Sequence, residues 1–61
     1  MGGVRKYIVT LAYTNADNEE IFYDKIMSAT GGCDIKRVGL SACRSEHPDE
    51  TGHRVVTSLA Y

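Results

Sequence analysis

The chain of 61 residues lacks the long apolar run that a membrane-spanning helix needs. No stretch approaches the ~20 apolar residues with which a helix crosses a bilayer. The first residues also lack an apolar segment followed by a small-residue cleavage site, which is the pattern of a secretory signal peptide. We therefore expect a soluble, cytoplasmic protein that has no membrane partner.

An excess of positive charge is also missing. Seven Lys and Arg residues stand against eight Asp and Glu residues, for a net charge of −1. A protein dedicated to nucleic acids normally presents a basic face, so the charge balance disfavours that class. Short basic clusters remain, and the candidate nucleic-acid contacts are Arg5, Lys6, Lys36, Arg37 and Arg54.

Cysteine is scarce, and the sequence contains no Cys-x-x-Cys pair. Cys33 and Cys43 are ten positions apart. On one extended strand they would be separated by about 33 Å, whereas a disulfide needs Cα atoms within about 7 Å. The sequence therefore predicts two reduced and mostly buried thiols.

The histidine pair of a metal-dependent nuclease is absent. Such an enzyme binds its metal through two histidines one residue apart on a strand. Here that strand would follow the acidic turn Glu46–Gly52, but after His53 the corresponding positions are occupied by Val55, Val56 and Thr57. The candidate metal ligands are Cys43, Glu46, His47, Asp49, Glu50 and His53. Their spacing matches no closed zinc pattern, so we predict no metal, no cofactor and no catalytic residue.

Alternating apolar residues indicate a first strand over Val4–Tyr13, with Tyr7, Val9, Leu11 and Tyr13 on one face. One apolar face and one mixed face are typical of a central strand in a sheet that is covered on one side. Turn-forming residues follow at positions 14–17.

A helix is predicted next, from the N-cap Asp17 through Asn18–Thr30. Glu20 stands in the capping-box position, and apolar residues follow at helical spacing. Gly31 and Gly32 provide the stop. Phe22 and Met27 are assigned to the core.

Two further strands complete the prediction. The first, Cys33–Ser45, needs a bulge near Lys36–Arg37 because its alternation slips there, and Gly39 marks a close approach or a weak point. After a polar connection, the last strand spans His53–Tyr61, with Val55, Leu59 and Tyr61 on one face.

The elements predict one α+β domain over residues 1–61, with the order β-α-β-β and one helix on a three-stranded antiparallel sheet. A right-handed crossover would seat the helix between the first two strands. This order resembles part of a ferredoxin-like unit that stops before its second helix. Uncovered sheet surface and exposed edges favour pairing with another chain, so we expect a homodimer.

The stretch Tyr7–Asn15 resembles the first-strand motif of rolling-circle replication initiators of the HUH endonuclease class. The helix predicted at Asn18–Thr30 falls where that family has one, and Glu46–His53 resembles the segment that leads into its metal-binding strand. The resemblance implies a fold and a nucleic-acid surface. It does not imply strand cleavage, because His53 is the only histidine near the position of the pair.

Three hypotheses on function follow. The first is a non-catalytic, homodimeric interaction module that acts on a protein partner through the face or an edge of its sheet. The alternative is a nucleic-acid-binding relative or fragment of a replication initiator that lacks nuclease activity and binds through the basic residues. The third is a small metal- or thiol-dependent enzyme that uses Cys43, His47 and His53.

Overall fold

The computed structural model describes residues 3–61 and contains three strands and one helix. The elements are the strands β1 (Arg5–Thr14) and β2 (Glu20–Ala29), the helix α1 (Gly32–Glu46) and the strand β3 (Thr51–Ala60). The strands form one antiparallel sheet in the order β2-β1-β3. The predicted α+β class, with one helix on a three-stranded antiparallel sheet, is confirmed.

The predicted element order is wrong, although the predicted first strand matches β1 to within one residue. The chain follows the order β-β-α-β, because the predicted helix at Asn18–Thr30 is largely strand β2 and the predicted strand at Cys33–Ser45 is helix α1. The helix therefore does not lie between the first two strands in the chain. It connects β2 at one edge of the sheet to β3 at the other, and β1 lies between them.

The β1–β2 connection is a hairpin loop built around Asn15. Its side-chain oxygen accepts hydrogen bonds from the backbone N–H groups of Asp17 (3.0 Å) and Glu19 (2.9 Å), and Asn18 adopts a left-handed conformation with φ of 63°. Asparagine takes both roles readily. Of the two residues that resemble a capping box, Asp17 therefore lies in the loop and Glu20 is the first residue of β2.

Strand β2 keeps strict alternation. Its burial alternates residue by residue from Glu20 to Ala29, and all ten of its residues pair with β1. The stretch is rich in aromatic and β-branched residues, which favour strands. Pairing along the whole length of β1 outweighs the helical spacing of Phe22, Ile26 and Ala29.

Helix α1 explains the slip in alternation without a bulge. Ile35, Gly39 and Cys43 are buried and recur every four residues, which places them on one side of the helix. At the N-terminus, the Asp34 carboxylate accepts hydrogen bonds from the Thr30 backbone N–H (3.3 Å) and hydroxyl (3.1 Å). At the other end, the His47 N–H donates to the Cys43 carbonyl (3.0 Å).

Strand β3 pairs with β1 through two register shifts, between Thr10 and Leu11 and between Ala12 and Thr14. Leu11 pairs with Val55 and Thr10 with Thr57, so Val56 is the extra residue of a bulge. The bulge moves Leu59 to the opposite face from Val55. The prediction that these two residues share a face is therefore wrong.

The core lies between α1 and one face of the sheet. Its buried residues are Val9, Leu11, Ala29, Ile35 and Cys43. Half-buried apolar residues surround them, and these are Tyr7, Tyr13, Tyr23, Met27, Val38 and Val55. The predicted inward face of β1 and the core assignment of Met27 are confirmed. The core assignment of Phe22 is wrong, since its side chain is 52% exposed.

The two cysteines are free thiols, as predicted, but only Cys43 is buried and Cys33 is exposed. Because both lie on α1, ten positions correspond to about 15 Å along the helix axis rather than to 33 Å. That distance still exceeds the reach of a disulfide. Within the described residues, no helix combines the length and the apolar content that crossing a bilayer requires.

Replacing Gly39 with Ala tests how closely α1 approaches the sheet. An added Cβ would meet Val55 Cγ2 at 3.2 Å, and Leu11 Cδ2 and Val9 Cγ1 at 3.3 Å. Overpacking costs about 1–3 kcal/mol, and alanine returns up to ~1 kcal/mol of helix propensity. We expect Gly39→Ala to lower the free energy of unfolding by about 1 kcal/mol, measured by urea denaturation.

Gly32→Ala is the matched control, because a Cβ at the first residue of α1 meets nothing within 4 Å. This variant should be as stable as the parent or slightly more stable. Equal stabilisation by both substitutions would contradict the close packing at Gly39.

Candidate interaction surface

The side of the sheet opposite α1 is a continuous surface, here named the open face. Alternation along β1 directs its even-numbered residues to this side, and their cross-strand partners share it. It contains residues from all three strands, namely Lys6, Ile8, Thr10, Ala12, Thr14, Glu20, Phe22, Asp24, Ile26, Ser28, Thr51, Arg54, Thr57 and Leu59.

An apolar row crosses the open face. Ile8 pairs with Ile26 on one side and with Leu59 on the other, so three large aliphatic side chains lie next to one another. Their exposed fractions are 37%, 53% and 66%, respectively. Single exposed apolar residues are ordinary, whereas a contiguous apolar patch marks an interaction site.

A polar row follows two residues further along β1. Thr10 pairs with Asp24 and with Thr57, and the Thr10 hydroxyl donates to Asp24 Oδ1 at 2.7 Å. This hydrogen bond fixes the position of the carboxylate midway along the length of the open face, on the edge strand β2. Asp24 therefore supplies negative charge between the apolar row and the row that contains Phe22 and Arg54.

The third row combines an aromatic ring with a guanidinium group. Phe22 and Arg54 both pair with Ala12, and Arg54 Cζ lies 5.7 Å from the centroid of the Phe22 ring. Arg54 also donates to Glu20, and this hydrogen bond lowers the pKa of Glu20. Ala12 is fully buried although no helix covers it, because its two long neighbours lie on either side of it.

A second cluster of polar and aromatic residues lies at the C-terminal end of α1, on the covered side of the sheet. The His47 ring stacks on Tyr13, with centroids 3.9 Å apart and planes inclined by 19°. Tyr23 meets both rings edge-on, at 6.0 Å from Tyr13 and 5.5 Å from His47. Its hydroxyl donates to Glu46 at 3.0 Å, and burial raises the pKa of this hydroxyl.

The structure brings some of the candidate metal ligands near one another but engages them in internal hydrogen bonds. A ring nitrogen of His53, Nε2, lies 2.6 Å from the His47 carbonyl oxygen and donates to it, and the buried Cys43 thiol contacts the Ala12 carbonyl at 3.7 Å. Among residues 3–61, no three Cys, His, Asp or Glu side chains are grouped to hold a metal ion.

The five basic candidates for nucleic-acid contact do not form one surface. Lys6 and Arg54 lie on the open face, about 20 Å apart along the strands. Lys36 and Arg37 are exposed on α1, on the other side of the sheet, and Arg5 is exposed at the start of β1, where its pairing with Ala29 places it on that same side. Two of the five are neutralised locally, because Arg37 pairs with Asp34 and Arg54 pairs with Glu20.

The open face was missed in the sequence because β2 was assigned to a helix. Helical spacing put Phe22 and Ile26 in the core, whereas the alternation from Ile21 to Ala29 would have placed them opposite Tyr23 and Met27. The signal that could have revealed this is the density of aromatic and β-branched residues over positions 21–26.

Glu46→Gln tests the electrostatics of the cluster at the helix end. The Lys25 ammonium and then the Tyr23 hydroxyl hold the pKa of Glu46 below its usual value of 4.5. A lowered folded-state pKa stabilises the fold above the unfolded-state value, and this contribution disappears as pH falls through the folded-state value. We expect Glu46→Gln to lower the melting temperature at pH 7, and the difference from the parent to shrink as pH falls through the folded-state pKa of Glu46.

A double-mutant cycle with Lys25→Met provides the control. The two substitutions should be coupled at pH 7 and become additive in acid, since protonated Glu46 no longer forms an ion pair. A loss that is equally large at both pH values would show that Glu46 acts through packing alone.

Within residues 3–61 the structure contains no pocket. Comparisons with protein-family models, with curated proteins and with solved structures found no match to this chain.

Proposed function

We propose that this protein is a non-catalytic interaction module that forms a homodimer and acts on a protein partner through its sheet. The observation that supports the proposal is the open face, on which each of the three strands contributes an exposed aliphatic side chain, namely Ile8 (37%), Ile26 (53%) and Leu59 (66%). The same proposal places the protein in the cytoplasm, where free thiols such as those of Cys33 and Cys43 stay reduced.

The distribution of apolar surface supports an interface on this side. The fully buried large side chains are Leu11, Ile35, Val9 and Cys43, whereas Phe22, Ile26 and Leu59 are each more than half exposed. A chain of this length buries only about 60% of the surface that its unfolded form exposes. Covering the open face would therefore add apolar burial that is large relative to the core itself.

The sheet edges offer a route to a protein partner. In the described part of the chain, β2 and β3 each pair only with β1, so one side of each ten-residue strand has no neighbour in the sheet. An exposed edge can accept an extended peptide through backbone hydrogen bonds. A homodimer formed through the open face would leave both edges available.

The alternative is a nucleic-acid-binding relative of a replication initiator that lacks nuclease activity. Its support is the resemblance of the first strand and of the segment before β3. The predicted helix on which the layout also depended is strand β2. The scattered basic residues offer no continuous track for a phosphate backbone, so the geometry favours the interaction module.

Ile26→Lys tests the proposal, because it places a charge in the apolar row without altering the backbone edge of β2. Dimerisation would bury the exposed half of the Ile26 side chain in both copies, and losing this burial costs about 1 kcal/mol per copy. We expect the dimer dissociation constant to rise roughly thirty-fold, measured by sedimentation equilibrium over a range of protein concentrations.

Ser41→Lys is the matched control, since it adds the same charge at an exposed position on α1. It should leave the dissociation constant unchanged. A parent protein that stays monomeric at high micromolar concentration would overturn the dimer, and equal weakening by both variants would show that added charge acts without regard to the open face.

A further inference from the structure

We infer that a second copy of the chain covers the open face about a two-fold axis that runs parallel to the strands. In this arrangement, β2 of one copy lies over β3 of the other. The inference rests on the proposed function and specifies its geometry.

The shape of the open face favours alignment of the two sheets. The molecule measures 45 × 16 × 14 Å, and three ten-residue strands form a surface about 33 Å long and about 14 Å wide. Aligned packing of two such surfaces buries on the order of 1,000 Å², which is the lower limit for a specific interface. Crossing the sheets at right angles would cover less than half of that area.

Symmetry leaves two directions for the axis in the plane between aligned sheets. An axis perpendicular to the strands lays β2 over β2. If this axis passes through the row of Thr10, the row of Ile26 lies over the row of Phe22 in the second copy. Asp24 then lies directly over Asp24 of the second copy. Moving the axis to the Ile26 row separates the carboxylates but leaves Phe22 uncovered. Each choice therefore costs either like-charge repulsion or apolar burial.

An axis parallel to the strands avoids both costs. It keeps each row over the same row and exchanges the edge strands, so Ile26 lies over Leu59 of the second copy. By the same exchange, Asp24 lies over Thr57, whose hydroxyl can donate to a carboxylate, and Phe22 lies over Arg54, which is a favourable cation–π pair.

The same symmetry places Lys6 near its own equivalent, at one end of the open face. This like-charge contact is tolerable because a lysine stem can extend and carry its ammonium group into solvent. Asp24, by contrast, has a short side chain that Thr10 holds midway along the length of the face. The charge that could oppose the parallel axis is therefore mobile, whereas the charge that opposes the perpendicular axis is fixed.

The complementary groups all belong to one chain, which points to a second copy as the occupant. In the apolar row, both edge strands carry an aliphatic residue, Ile26 on β2 and Leu59 on β3. In the polar row, the acceptor Asp24 on β2 has the donor Thr57 at the matching position of β3. Exchange of the edge strands matches these groups in two symmetric copies.

Chemical cross-linking tests the axis. Facing sheets lie about 10 Å apart, which is too far for a direct disulfide but within reach of a short bifunctional maleimide. Ile26→Cys and Leu59→Cys would be prepared separately in a Cys33→Ser background, and cysteine keeps each position apolar. The two variants would be cross-linked singly and as an equimolar mixture, with Ser41→Cys on α1 as the control for random collision.

We expect the mixture to give several-fold more cross-linked dimer than either variant alone, and Ser41→Cys to give none above background. Efficient cross-linking of Ile26→Cys with itself would overturn the parallel axis in favour of the perpendicular one. A dimeric mass without cross-linking would overturn this arrangement but keep the interaction module, with an edge as its interface. A monomeric mass for the parent protein would overturn both.

Discussion

The structure depends on the close packing of α1 against one side of β1. At Gly39 the helix backbone comes so near the sheet that an added Cβ would lie 3.2–3.3 Å from Val9, Leu11 and Val55. Ile35 and Cys43 fill the space on either side of this contact and are fully buried. Because one helix has only one such stripe, it can cover only one face of the sheet.

One-sided coverage explains both the small core and the character of the open face. A central strand with two apolar faces needs a layer on each side. Here Val9 and Leu11 have that layer, whereas Ile8 has only its cross-strand neighbours Ile26 and Leu59. The exposed apolar row is therefore a direct consequence of having one helix. It is also the feature that most clearly favours association.

The sequence was sufficient to predict the α+β class and the strands at the two ends of the chain, β1 and β3. The prediction of β2 as a helix is wrong because a helix N-terminus and a hairpin loop share the same sequence signals there. Asp17 and Glu20 match a helix N-terminus, yet the side chain of Asn15 closes a hairpin loop over the same residues. From Ile35 to Cys43, the slip in alternation that suggests a bulged strand is the helical period of α1. Alternation along β2 indicates which of its residues are exposed, but the alignment of Ile8, Ile26 and Leu59 in one row depends on a pairing register that long-range contacts decide.

The most direct test of the account is the dependence of methyl NMR shifts on protein concentration. If the open face is the interface, the methyl signals of Ile8, Ile26 and Leu59 move together on dilution, while those of the buried Val9 and Ile35 stay fixed. Signals that are all independent of concentration in a monomeric sample would contradict it. So would shifts confined to the outward-facing backbone amides of β2 or β3, because these would place the contact at an edge of the sheet.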